Sequence, residues 1–179
     1  MTKRAFLAAA VAGVFLASCG PENGLGGSLG EVFPLDISKV EIARNNEALQ
    51  VTYYLNRGVF LDVVARVSVS LADIDVKPGV VIPLGGMTGD GGVLEDGGVP
   101  PGVMRRCVVT HAPGGEPVRT MPPVKRGDMV IRAGGEPGSL TRGDFSVLFE
   151  SEGGDIGQGR TLYGGFLAEA SDAGFGELP

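Results

Sequence analysis

From Ser38 onward the chain alternates apolar and polar residues with a period of two, the spacing of a strand with one buried face. Val40 and Ile42 alternate with Lys39 and Glu41, and Asn45-Asn46 then offers a residue type that tolerates the left-handed conformation of a two-residue hairpin. The next run sets Leu49, Val51, Tyr53 and Leu55 on one face and Gln50, Thr52, Tyr54 and Asn56 on the other. A turn at Asn56-Arg57-Gly58 leads into the longest alternation in the chain. It places Val59, Leu61, Val63, Ala65, Val67, Val69 and Leu71 inward, and Asp62, Arg66, Ser68 and Ser70 outward. Three such strands joined by tight turns predict an antiparallel meander with one wet face.

Beyond Asp73 the pattern loosens. Val80-Val81-Ile82 predicts a short strand, held to a sheet edge by Pro78 and Pro83. Val103 to Thr110 predicts another, with Cys107 and Val109 inward and Arg106 outward, and four prolines between 112 and 127 predict an extended loop. Gly134 to Gly138 reads as a hairpin loop, and Phe145, Val147 and Phe149 form the inward row of the strand that follows. In the last strand, Arg160 to Ala170, Gly164-Gly165 marks a bulge or a close backbone approach and leaves the facing open between Leu162/Phe166 and Tyr163/Leu167. With no helical period after the N-terminal segment, about seven or eight short strands point to an all-β antiparallel sandwich, with a small closed β-barrel as the alternative. The expected organisation is a leader over 1–18, a flexible Gly-rich tether over 19–36, one β domain over 37–170 and a flexible tail over 171–179.

The leader has a character of its own. Lys3 and Arg4 precede an uncharged apolar run from Ala5 to Ala17, which as a helix covers about 20 Å against a hydrocarbon core of about 30 Å. That is too short to span a bilayer. Leu16-Ala17-Ser18-Cys19 resembles the lipobox of bacterial lipoproteins, in which the signal is cut before the cysteine and the cysteine is acylated. The resemblance implies lipidation at Cys19 and attachment to the cell envelope through acyl chains. Because Gly20 is not the aspartate that retains many such proteins in the inner membrane, it also implies an outer-membrane destination.

Charge and composition narrow the function. The chain carries 15 Lys+Arg against 21 Asp+Glu, a net of −6, and removing Lys3 and Arg4 with the leader makes it more negative by two. That sign excludes nucleic acid as a partner and leaves the lipid, rather than a basic patch, as the membrane attachment. With Cys19 used by the anchor, Cys107 has no disulfide partner in the chain and reads as a small core residue. The 31 glycines show no collagen period and cluster between apolar runs.

Candidate chemistry is sparse. Gly26-Gly27-Ser28-Leu29-Gly30 matches the nucleophile-elbow pattern of serine hydrolases, but that pattern needs a strand before the serine and a helix after it, neither of which the sequence predicts. His111 is the one histidine. Asp90, Glu95 and Asp96 in the glycine-rich loop 85–98 supply oxygens of the kind calcium takes, without the register of a calcium-binding loop. Arg126-Gly127-Asp128 and Arg142-Gly143-Asp144 share the letters of an adhesion motif, yet run into strands and read as solvated turns. Asp62 and Arg66 read as solvated or cross-strand-paired charges. The expectation is a non-enzymatic envelope lipoprotein, without cofactor, whose β domain binds a protein or other envelope component. The alternatives are a small-molecule or lipid-binding barrel and, behind it, a carboxylate-dependent enzyme.

Overall fold

The computed structural model describes residues 22–46, 48–71, 76–85, 104–105, 107–108 and 119–172. Strands are β1 (Gly24–Gly26), β2 (Lys39–Arg44), β3 (Ala48–Arg57), β4 (Phe60–Ser70), β5 (Val81–Pro83), β6 (Met104–Arg105), β7 (Cys107–Val108), β8 (Arg119–Thr120), β9 (Val124–Ala133), β10 (Leu140–Phe149) and β11 (Thr161–Ser171). One open sheet runs β5-β9-β10-β11-β2-β3-β4-β6, with β1 also on β11, and β7 pairs with β8 separately. Every pairing is antiparallel except that of β11 with β2, where Ala170 and Ser171 meet Ile42 and Ala43 in parallel. The sheet is therefore mixed, not the wholly antiparallel one expected. The sequence pattern of each strand is blind to this, because the join brings together elements far apart in the chain.

The meander β2–β3–β4 forms where the alternation places it, and β9 and β10 form a hairpin around the loop expected at 134–138, each beginning earlier in the chain than expected. Their inward rows meet in one buried cluster, with Leu49, Val51, Val67 and Val69 from one half and Met129, Ile131, Val147 and Leu162 from the other. Tyr53 joins the halves directly. Its ring lies 6.0 Å from that of Phe145, and its hydroxyl donates to the Gly165 carbonyl at 3.2 Å. Burial pushes its phenol well above the usual range, with the negative charge of Asp144 adding to the effect.

Four local expectations are corrected. First, β3 and β4 slip register between Tyr53 and Tyr54, so that Tyr53 faces Ala65, Tyr54 faces Val63 and Val64 is the extra residue. A bulge reverses the parity of everything before it. Hence Val59 is 90% exposed and Leu61 40%, whereas Asp62, expected outside, is only 4% exposed. Val63 is buried but stands apart from the main core cluster.

Second, the segment expected as a flexible tether is docked from Asn23. The Asn23 side chain accepts from the Leu167 amide at 2.6 Å and donates to its carbonyl at 3.2 Å. β1 pairs with residues 163–165, a 3-10 turn spans Ser28–Glu31, and Leu29 is fully buried. Here the glycines serve close approach and not mobility. A Cβ at Gly27, whose φ is +120°, would lie 2.4 Å from the Thr161 carbonyl oxygen.

Third, Asn45-Asn46 does not use the left-handed region, since no non-glycine residue among those described has positive φ. The Asn45 side chain instead accepts from the Ala48 amide at 2.8 Å, closing the turn. Fourth, the segment expected as an extended loop over 112–127 contains β8 and the start of β9. The strand expected over 103–110 is divided between β6, which joins β4, and β7, which joins β8.

Gly164 resolves the facing of β11. Its alternatives were a bulge or a close approach, and the pairing with β10 is regular through it. A Cβ there would lie 2.6 Å from the Phe145 ring and 2.7 Å from Leu25, so Leu162, Gly164 and Phe166 face inward and Tyr163 is exposed.

Candidate functional site

Several residues singled out by sequence lie outside the described residues: Cys19, Asp90, Glu95, Asp96, Arg106, Val109 and His111. Among the described residues, no group of three or more His, Cys, Asp or Glu side chains is placed to hold a metal. Ser28 is flanked by a three-residue strand and a one-turn 3-10 helix, contrary to the expectation of neither. Its hydroxyl is nonetheless engaged structurally, accepting from the Thr161 amide at 3.0 Å and sharing a hydrogen bond with the Thr161 hydroxyl at 3.2 Å. Arg160 also donates to the Ser28 carbonyl at 2.9 Å and pairs with Glu31. These contacts tie the docked segment to the start of β11.

The two Arg-Gly-Asp triplets lie within strands and not in turns. Gly127 faces Val147 and Gly143 faces Ile131 in the β9–β10 ladder. A Cβ on Gly127 would stand 2.4 Å from the Ser146 carbonyl oxygen, and one on Gly143 2.4 Å from the Phe166 ring. Asp144 is held by both Nε and Nη2 of Arg132. Packing thus requires each glycine, and a cross-strand ion pair occupies one aspartate. Asp62 pairs with Arg57 at 2.9 Å, on the inward side to which the bulge turned it.

The feature that sequence reasoning missed lies on the non-core face of β2–β3–β4. There a half-open groove of about 510 Å3 crosses the sheet from β11 to β4. Its size suits a small molecule, within the range of about 300–1,000 Å3 typical of ligand pockets. In register, Glu41 faces Thr52 and Thr52 faces Arg66, giving one polar row over three strands, with Glu169 and Ser171 of β11 lining the near end. Gln50 and Thr52 in the floor are only 5% and 4% exposed. Gln50 donates to the Ser68 hydroxyl at 3.0 Å.

A charged relay occupies the groove wall. Lys39 Nζ donates to Glu41 at 2.5 Å, the Tyr54 hydroxyl lies beside the Glu41 carboxylate, and Arg66 lies beside Tyr54 in turn. The Lys39 hydrogen bond holds the Glu41 carboxyl below its usual range, against its partial burial. The Tyr54 phenol is raised, first by burial and then by the Glu41 charge. Lys39 is raised by Glu41. All three shifts move away from neutrality, so the relay supplies no base poised near pH 7. It fixes donors and acceptors in place. Arg66 ends the row beside the Tyr54 phenol, and its Nε, shielded from solvent, has no hydrogen-bond partner among the described residues. On its other side, register sets Arg105 of β6 opposite Arg66.

No protein-family model, curated protein or solved structure matches this chain.

Proposed function

We propose that this is a cell-envelope lipoprotein, acylated at Cys19 and bound for the outer membrane, whose β domain is a non-catalytic binding module. The groove on the outward face of β2–β3–β4 is its binding surface, and the open sheet acts as a folded-over sandwich with that groove on one outer side. One observation carries the binding reading: two polar side chains, Gln50 and Thr52, are withdrawn from solvent on the face of a strand that ordinarily looks into water. Gln50 is already held by its hydrogen bond to Ser68, so the row presents polar groups fixed in place before a ligand arrives, an arrangement that lowers the ordering cost of binding. The relay of fixed donors and acceptors favours recognition over acid–base chemistry.

The anchor and the body fit together in length. Cys19 is four residues before Asn23, the first side chain docked on β11, and four extended residues reach at most about 14 Å. Acyl chains on Cys19 would therefore hold the domain against the bilayer surface instead of on a long tether. The mass of protein extracted from membranes tests the anchor. The expected result is a chain beginning at Cys19 with added acyl mass, and an uncut, unacylated Cys19→Ser precursor. A Cys19→Ser protein cut at the same site and still membrane-bound would overturn it.

A further inference from the structure

Resting on the reading of the groove as the binding surface, we propose that its ligand is a small hydroxyl-rich molecule with one anionic oxygen group, a sugar acid or sugar phosphate. The anion would be seated on Arg66. A guanidinium offers five donors and is best completed by a carboxylate or phosphate, which it meets with two parallel hydrogen bonds. In the groove the Tyr54 phenol lies beside Arg66, and the Arg66 Nε is shielded from solvent without a hydrogen-bond partner among the described residues. Glu41 is not free to serve, because Lys39 and Tyr54 hold it.

The rest of the groove sets the remainder of the ligand. From β4 to β11 the lining passes from Arg66 through Thr52 and Gln50 to Glu169 and Ser171, three inter-strand steps or about 14 Å. Hydroxyl and amide groups in the middle exchange hydrogen bonds with ligand hydroxyls. The carboxylate of Glu169 at the far end accepts from hydroxyls and repels a second anion. One negative group at the β4 end and neutral polar groups along the remainder is the pattern that fits this order of charges.

The test is NMR titration of the full chain in detergent micelles, reading the Arg66 Nε–H resonance and the backbone amides of Gln50 and Thr52. Four probes are compared: glucose, glucuronate, glucose 6-phosphate and acetate. The expected result is saturable movement of all three resonances by glucuronate or glucose 6-phosphate, with glucose and acetate at least about tenfold weaker. Whichever of the two acids binds more tightly identifies the anionic group as carboxylate or phosphate. The Arg66→Gln variant, checked by its thermal transition, should lose about tenfold or more in affinity for the acid while its weak affinity for glucose is unchanged. Glucose binding as tightly as the acids would overturn the anionic assignment while leaving the groove as the site. Acetate binding as tightly would overturn the sugar assignment. If no probe moves a groove resonance, the ligand class is wrong, and the groove reading then stands or falls on photo-cross-linking from Glu169 in the cell.

Discussion

The outward faces of the two halves of the sheet begin from the same alternation and end as different surfaces. On β9 and β10 the outward positions include Arg126, Asp128, Arg132, Arg142 and Ser146, all exposed, beside half-buried Val130, Asp144 and Leu148, with Arg132 and Asp144 pairing across the strands while about half exposed. On β3 the equivalent positions are Gln50 and Thr52, nearly as buried as the core beneath them and set in the floor of a groove. Both rows carry polar side chains, the β9–β10 row with Val130 and Leu148 among them, and both stand opposite an apolar inward row. Polarity on the outer face therefore says only that the residue is not in the core. Whether that face is a solvated surface or a recessed one depends on the strands around it.

The inner faces do not share the difference, and breaking them should be the largest effect. Val67→Asp in one half and Ile131→Asp in the other both place an unpaired charge at a position with no exposure, at a cost of several kcal/mol against a total stability of about 5–15. Circular dichroism should show both unfolded, whereas Ser146→Asn, on the exposed outer row opposite Asp128, should melt within about 0.5 kcal/mol of the parent. A soluble, cooperatively melting Val67→Asp protein would mean that the wrong face has been assigned to the core.

The half built on β11 leans on the N-terminal segment, and the other half does not. Leu29→Ala empties a fully buried position and should cost about 2–5 kcal/mol in urea unfolding. A change within about 0.5 kcal/mol would restore the tether that glycine content suggests.

Tyr53 couples the two halves, and its titration sharpens the comparison. Its folded pKa is raised above the ordinary 10.0, so above that pH the unfolded chain loses a proton that the folded one keeps. Stability should be level in this respect below pH 10 and fall by about 1.4 kcal/mol per pH unit above it. Tyr53→Phe should make that slope shallower, leaving the contribution of the raised Tyr54, at the cost of about 1 kcal/mol for the hydrogen bond to Gly165. An identical alkaline slope in the variant would place the titrating group elsewhere. The smallest effect belongs to the solvated face, where Arg132→Ala should change stability by less than about 1 kcal/mol, because both partners of its ion pair are about half exposed. A larger loss would show that this face is structured more like the groove.

Much of the fold was legible in the chain. The strands β2, β3, β4, β10 and β11, the edge strand at Val81–Pro83 and the hairpin loop at 134–138 follow from alternation and turn residues. The bulge at Val64 was not legible, because Val63-Val64 reads as an uninterrupted apolar pair and nothing in it marks which residue is extra. Glycines 26 and 27 misled in the opposite way, since the composition of a mobile linker is also that of a segment packed closely on a neighbouring strand. As for the groove, Gln50, Thr52, Tyr54 and Arg66 were all visible as an outward polar row. What the sequence did not carry was their depth, which comes from the neighbouring strands, including the parallel join of β2 to β11.

The most direct test of the account is photo-cross-linking in the living cell with a photoreactive residue placed in turn at Glu169, on the groove, and at Ser146, on the outward face of the other half. Both positions are exposed, so each probe can be carried without disturbing the core. The account predicts a discrete adduct from Glu169 that is lost in the Arg66→Gln background, and none from Ser146. A discrete adduct from Ser146 with none from Glu169 would contradict it and move the functional surface to the face carrying the two Arg-Gly-Asp triplets.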